Sequence, residues 1–209
     1  MVDVLLIIFI AVYLIALFMF LNNYNKYKRI PSRNNTIGYD SALKVKEKYN
    51  LDNYIIEKKG SFTDNYNKKV IKLSSIVFHE SSLYSEAIGY YIAMQAVLDK
   101  ENNALFRVQK MLEPFYYFMM SIAYFELLLL AFTSFNILYL VVTLGLCILY
   151  GFLCLNNSLV IIDRLKKEFI GDNNELKKAI EWLYLFDITL GLLYLRVLID
   201  NLVDMIKKR

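Results

Sequence analysis

The sequence predicts a mostly α-helical integral membrane protein, with about four membrane helices and a small α+β block between the first and the second. Hydrophobic residues make up 57% of the 209 residues, more than in an ordinary soluble domain. Residues 4–21 are uncharged, and residues 114–162 carry a single carboxylate, Glu126. Because about 20 apolar residues are needed for a helix to cross the bilayer, the first run predicts one span and the second predicts two.

The charges beside the first run predict its orientation. An acidic residue, Asp3, precedes the run, and four basic residues follow it: Lys26, Lys28, Arg29 and Arg33. By the positive-inside rule the N-terminus is then outside and the next segment is cytoplasmic. The net charge of +4 is explained by this topology and by attraction to anionic lipid. No basic stripe with interleaved aromatic residues predicts nucleic-acid binding.

The chain divides into four segments on this basis. They are an N-terminal transmembrane helix (residues 1–21), a polar block (22–110), a transmembrane helical hairpin (111–162), and a C-terminal amphipathic or transmembrane helix (163–209). The basic tail at residues 207–209 also predicts a cytoplasmic end, which leaves open whether the last helix crosses fully.

Within the polar block, short apolar runs predict strands and a longer run predicts a helix. Residues 54–56 and 70–73 have strand character, and the turn-rich residues 64–67 between them favour a hairpin. Residues 81–98 are apolar on nearly every side, which is typical of a buried helix. A block of this size makes only a modest core by itself, so we expect it to pack against the apolar helices.

The only histidine in the chain is His79, and Glu80 follows it. The pair begins like the zinc-protease motif H-E-x-x-H, in which two imidazoles one helical turn apart bind the same metal. Leu83 occupies the position of the second histidine. We therefore expect His79 to be a capping or surface residue.

The layout of the chain resembles that of a known family. The similar segments, in chain order, are Pro31-Ser32-Arg33, Ile37-Gly38, Thr63-Asp64-Asn65-Tyr66, residues 69–74 and Asn157-Ser158. These resemble the YugP-like membrane zinc metallopeptidases of bacteria, and the resemblance covers nearly the whole chain. It implies a zincin-like polar block with an active-site helix at residues 81–98, in a multi-pass protein of the bacterial cytoplasmic (inner) membrane.

The family's active helix reads H-E-x-G-H-A-x-Q. Anchored on Ala93 and Gln95, the resemblance puts the two ligand histidines on Ile88 and Ile92 and the general-base glutamate on Gly89. The acidic third ligand falls near Leu155. Because these side chains offer a metal no lone pair, the resemblance predicts a degenerate site without a cofactor.

The most favoured function is therefore a non-catalytic relative of a zinc peptidase. Such a protein would bind the lipid bilayer and protein or peptide partners, among them an active relative. The predicted peptide-binding element is an exposed strand edge formed by Val70, Ile71, Lys72 and Leu73.

Two other functions remain open from the sequence. One is an active zinc metallopeptidase with a non-standard site built from His79 and acidic residues. The other is a membrane scaffold or carrier organised around three charges in apolar surroundings, Glu126, Asp187 and Arg196, because such charges are expensive in a membrane and often functional.

Overall fold

The computed structural model describes residues 2–59, 64–128 and 137–185. These residues form seven α-helices, three strands and one π-helical turn. The elements in chain order are α1 (Val2–Lys28), α2 (Gly38–Lys48), β1 (Ile55–Lys59), β2 (Asn65–Asn67), β3 (Val70–Ser74), α3 (Ser75–His79), α4 (Leu83–Lys100), α5 (Ala104–Leu128), α6 (Ile137–Leu165), the π-helical turn (Lys166–Ile170) and α7 (Asn174–Glu181).

The three strands form one sheet in the order β1-β3-β2. β3 runs parallel to β1, with Ile55 beside Val70, and antiparallel to β2, with Asn67 beside Val70. The predicted hairpin between residues 54–56 and 70–73 is therefore wrong. The residues between those two runs contain a strand of their own, and the tight turn joins β2 to β3 at Lys68 and Lys69.

α4 lies at the centre of the protein, in the position predicted for the helix at residues 81–98. The hydroxyl of Ser82 caps its first turn by accepting the backbone N–H of Ser85 at 3.1 Å, as serine does at many helix N-termini. Residues 83–98 of α4 are all buried. An apolar helix of this kind is stable only when other elements cover every side, and here the sheet and the other helices do so.

The covering of α4 depends on a pair of glycines where it packs on α2. A Cβ atom built on Gly89 would lie 2.1 Å from the carbonyl oxygen of Gly38. A Cβ built on Gly38 would lie 2.6 Å from the carbonyl oxygen of Ser85. Because such distances are far below van der Waals contact, the two backbones can approach this closely only without side chains at both positions.

The expected count of about four membrane helices is wrong. Within the described residues, one segment, Gly145–Ile170, is long and apolar enough to cross a membrane, and 44% of its most apolar window is buried inside the protein. The described chain is mostly helical with a small three-stranded sheet, and a multi-pass integral membrane fold is not supported. Most of the predicted C-terminal helix, residues 186–209, lies outside the described residues.

The prediction failed because apolar run length does not separate a helix in lipid from a helix packed on protein. Much of the apolar content belongs to α4 and its neighbours, which form a protein core. α5, which contains one predicted span, also carries charged side chains in its first half, where Lys110 pairs with Glu113 at 3.0 Å. A long apolar helix is therefore a weak sign of a membrane span in this chain.

The glycine contact makes a prediction about stability. Gly89→Ala should destabilise the protein by about 2 kcal/mol, because overpacking outweighs the better helix propensity of alanine. The matched control is Gly151→Ala in α6, where a Cβ would meet nothing within 4 Å. The control should leave stability unchanged or raise it. Thermal unfolding of both full-length variants in mild detergent measures the difference, and equal melting temperatures would contradict the packing argument.

Candidate functional site

A buried polar side chain on α4 bonds directly to α6. The phenol oxygen of Tyr91 lies 2.5 Å from the hydroxyl oxygen of Ser158, and both residues are fully buried. Gln95 follows Tyr91 by one helical turn, so it lies on the same side of α4, and it is 3% exposed. This side of α4 is therefore polar within a helix that is otherwise nearly all apolar.

A second buried contact joins α6 to α5. The side-chain amide of Asn157 donates to the side-chain carbonyl of Gln109 at 2.6 Å, and both residues are buried. The carbonyl oxygen of Asn157 has no hydrogen-bond partner within the described residues. We call Tyr91, Gln95, Gln109, Asn157 and Ser158 the polar cluster, because all five are buried polar residues of the three helices that meet here.

The structure gives different surroundings to the residues predicted to stand at the positions of the metal ligands and the general base. Ile88 and Ile92 are buried in the hydrophobic core. Gly89 faces α2, about 200° around the helix from Tyr91 at 3.6 residues per turn. Leu155 is 37% exposed, whereas the preceding residue, Cys154, is fully buried. Cys154 packs in a cluster with Tyr116 of α5 and Tyr150 of α6, so it lies on the side of α6 that meets α5.

This geometry favours a different register for the family's active helix. The pair of side chains that lies one turn apart on the α6 side of α4 is Tyr91 and Gln95. With the pattern moved to this pair, the general-base position falls on Ile92 and the family's alanine falls on Ala96. The sequence analysis chose the other register because the anchor on Ala93 and Gln95 matched more letters, and that register stays a prediction. The available signal was the spacing of Tyr91 and Gln95 on an apolar helix.

The residues at this place do not fit a catalytic zinc in either register. Zinc in proteins is bound by cysteine, histidine, aspartate or glutamate, with about three protein ligands at a catalytic site. Tyr91 and Gln95 are none of these four residue types. In the other register, Ile88, Ile92 and Gly89 have no side-chain atom that could bind a metal. No group of three or more histidine, cysteine, aspartate or glutamate residues converges anywhere in residues 2–59, 64–128 and 137–185.

The one acidic residue in the buried part of α4 lies away from the polar cluster. Glu86 is buried, and burial raises the pKa of its carboxyl, while Lys44 of α2 lowers it. One of its oxygens has no hydrogen-bond partner within the described residues. Because Lys44 belongs to α2, Glu86 lies on the α2 side of α4, opposite the side that meets Ser158. Glu86 therefore cannot act as a base in the polar cluster.

The other predicted site residues are placed apart from this cluster. His79 ends α3, is exposed, and has its ring against Phe78 at 5.0 Å between centroids. Glu126 belongs to α5, but its side chain lies outside the part that the structure describes. Asp187 and Arg196 lie entirely outside it. The predictions about these three charges remain predictions.

The predicted peptide-binding edge at Val70, Ile71, Lys72 and Leu73 is wrong, because these residues form the middle strand. β1 pairs along one side of β3, and β2 pairs with residues 70–72 on the other. Directly before β2 begins, the carboxylate of Asp64 accepts the backbone N–H of Ser74 at 2.5 Å. Asp64 therefore takes the place of a strand at the end of β3.

Burial of Asp64 predicts a pH dependence of stability. Burial raises the pKa of this carboxyl from 3.8 to about 6, although hydrogen bonds from Ser74 act in the opposite direction. The folded chain then holds the proton more tightly than the unfolded chain. The stabilisation is therefore complete below about pH 4 and is lost as the pH rises through about 6, by roughly 3 kcal/mol in total.

The variant Asp64→Asn isolates this effect. Asparagine keeps an acceptor for the N–H of Ser74 but cannot ionise, so the variant should lose this part of the pH dependence and be more stable than the natural protein near pH 7. Urea unfolding between pH 4 and pH 7 gives both free energies. Parallel pH profiles for the two proteins would refute the argument.

The Tyr91–Ser158 contact makes a separate prediction. Tyr91→Phe and Ser158→Ala should each destabilise the protein by about 1–3 kcal/mol, since each removes one side of a hydrogen bond between two buried groups. The double variant should be more stable than the sum predicts, with a coupling energy of about 1 kcal/mol. Denaturant unfolding of the four proteins measures it, and strict additivity would show that the contact contributes nothing.

Comparison with known proteins gives one match. The family model described as putative neutral zinc metallopeptidase matches residues 2–162, a range that contains the sheet, α4 and the polar cluster. No curated protein and no solved structure matches the chain. The match covers most of the chain and agrees with the resemblance found in the sequence, so the chain belongs to this family of zinc metallopeptidases.

Proposed function

We propose that this protein is a non-catalytic member of the zinc metallopeptidase family that acts by binding protein or peptide partners. The observation that carries the proposal is the chemistry of the polar cluster. The two side chains one turn apart on the α6 side of α4 are a phenol and an amide, and the phenol of Tyr91 is bonded to Ser158. A peptidase of this family would need two imidazoles at such a spacing.

The burial of the polar cluster supports the same proposal. A catalytic zinc keeps one coordination position open for water or substrate. Tyr91 and Ser158 are fully buried, and Gln95, Gln109 and Asn157 are at most 3% exposed. The general-base position is Gly89 or Ile92, depending on the register, and neither side chain can accept a proton.

The proposal includes action at the cytoplasmic membrane of a bacterial cell. It is supported by Gly145–Ile170, which could span a membrane by its length and composition, and by exposed apolar side chains on the same segment, such as Ile148 and Phe152. A membrane-bound partner, such as an active relative of this chain, would meet the protein there. The partner contacts the surface of the polar block, because the residues of the polar cluster are buried and closed to a partner.

Metal analysis of designed variants tests the proposal and the register together. The natural full-length chain, purified in mild detergent and incubated with zinc, should hold far less than one equivalent and should not cleave a protein substrate. Tyr91→His with Gln95→His should bind zinc, because this double variant provides two imidazoles one turn apart on the side of α4 that meets Ser158. Ile88→His with Ile92→His is the matched control and should bind much less.

Two results would contradict this proposal. Near-stoichiometric zinc in the natural chain, lost in His79→Ala, would favour the active peptidase with a non-standard site. Tighter zinc binding by the variant at residues 88 and 92 than by the variant at residues 91 and 95 would favour the register expected from the sequence and would remove the argument from Tyr91 and Gln95.

A further inference from the structure

β1 forms one edge of the sheet, and its outer side pairs with no strand in the part of the chain that the structure describes. The backbone N–H of Ile55 donates to the carbonyl of Lys69 at 3.0 Å. In a parallel pair, alternate residues direct their N–H and C=O groups to the same neighbour. The N–H and C=O groups of Ile56 and Lys58 therefore point to the open side, where they can pair with an added strand.

The surroundings of this edge are strongly basic. Two lysines, Lys58 and Lys59, end β1, and the remaining three lie on β3 or in the turn before it: Lys68, Lys69 and Lys72. The one acidic residue among these elements is Glu57. None of the five lysines forms an ion pair within the described residues. The positive charge at this edge is therefore largely uncompensated.

The turn that carries two of these lysines has an unfavourable backbone. Lys68 has φ 47° and Lys69 has φ 66°, values that disfavour residues with a Cβ. A two-residue hairpin turn with positive φ at both positions is ordinarily Asn-Gly or a similar pair. Stability alone therefore favours other residues here. The turn requires positive φ but does not require lysine, and a strained residue that the fold does not require is a reason to look for a function.

We propose that the β1 edge binds an acidic peptide in extended conformation as an added strand. The backbone of the peptide pairs with Ile56 and Lys58. Its carboxylates lie between the lysine turn beside Ile55, at the start of β1, and Lys58 and Lys59 at its end. The inference rests on the proposed function, since it names the kind of peptide that a non-catalytic relative would bind.

Two other roles for the lysines give different experimental results. Lysines on an exposed edge strand also prevent sheets from pairing edge to edge. In that role, their removal would cause self-association and would not affect peptide binding. A lysine cluster also attracts anionic lipid, and in that role the backbone of β1 would not matter.

The first experiment separates backbone pairing from charge at one residue. Lys58→Pro removes the outward N–H and the charge, and proline is tolerated on an edge strand where the N–H faces solvent. Lys58→Thr removes the charge and keeps the N–H. The full-length chain in mild detergent is titrated into a short fluorescent peptide of alternating valine and glutamate, with the valine–lysine peptide as the control ligand.

The natural chain should bind the glutamate peptide and not the lysine peptide, and binding should weaken as salt is added. Lys58→Pro should weaken binding about tenfold, which corresponds to about 1.4 kcal/mol, and Lys58→Thr only about twofold. Both variants should keep their melting temperatures. Equal losses in the two variants, or tight binding to phosphatidylserine vesicles that Lys58→Pro does not change, would overturn the strand-addition proposal.

The second experiment uses the strained turn. Replacing Lys68 by Asn together with Lys69 by Gly should raise the melting temperature, because the new residues suit the turn. The same variant should bind the glutamate peptide about fivefold more weakly. A more stable variant with unchanged affinity, or one that self-associates without losing affinity, would reject the proposal. These two experiments measure neither zinc binding nor proteolysis. A negative result here therefore rejects the strand-addition proposal and does not decide the proposed function, which the metal analysis tests.

Discussion

The burial of α4 on every side is the constraint on which the rest of the structure depends. A helix in this position must present a surface to each neighbour, and each buried polar group on it requires a partner. Towards α2 the two backbones pack directly on each other, since there is no room for a side chain at Gly38 or Gly89. Towards α6 the solution is polar, since Tyr91 bonds to Ser158. The two solutions lie on nearly opposite sides of the helix.

The same constraint explains how α4 stays packed with Tyr91 and Gln95, and no imidazoles, on its α6 side. Two imidazoles directed at a metal must be replaced by groups that are satisfied without it, because an unpaired buried polar group costs about 1–3 kcal/mol. A phenol bonded to a hydroxyl meets that requirement for Tyr91. Asn157 meets it only in part, because its amide bonds to Gln109 while its carbonyl oxygen has no partner within the described residues.

The sequence predicted some elements well because their signals are local. The nearly apolar residues 81–98 predict α4 (Leu83–Lys100) to within two residues at each end, and the apolar run at residues 70–73 lies in a strand. Several predictions depended on long-range contacts, and three of them failed: the hairpin, the peptide-binding edge at residues 70–73 and the count of membrane helices. The hairpin failed because β2, which lies between β1 and β3 in the sequence, forms the hairpin with β3. β1 then pairs with β3 in the parallel direction. The count of membrane helices failed because packing on protein and burial in lipid favour the same residues.

Another such prediction, the register of the active helix, is the most instructive for the site. Letters of a degenerate motif can match in more than one register, and sequence similarity weighs Ala93 and Gln95 without knowing which side of the helix they occupy. The hydrogen bond to Ser158 supplies that direction, and it favours Tyr91 and Gln95. Where the letters of a motif match only in part, the side of the helix is therefore better information than the matching letters.

Function in such a chain is expected where stability alone does not explain the residues. The polar cluster is explained by stability, because its hydrogen bonds join α4, α5 and α6 and its residues are closed to solvent. The lysine turn is not, because Lys68 and Lys69 adopt a backbone conformation that suits Asn-Gly better. Lysine side chains there gain no ion pair within the described residues to offset the strain. An external acidic ligand would supply the missing interaction, and the start of β1 lies beside the turn, where Ile55 bonds to Lys69.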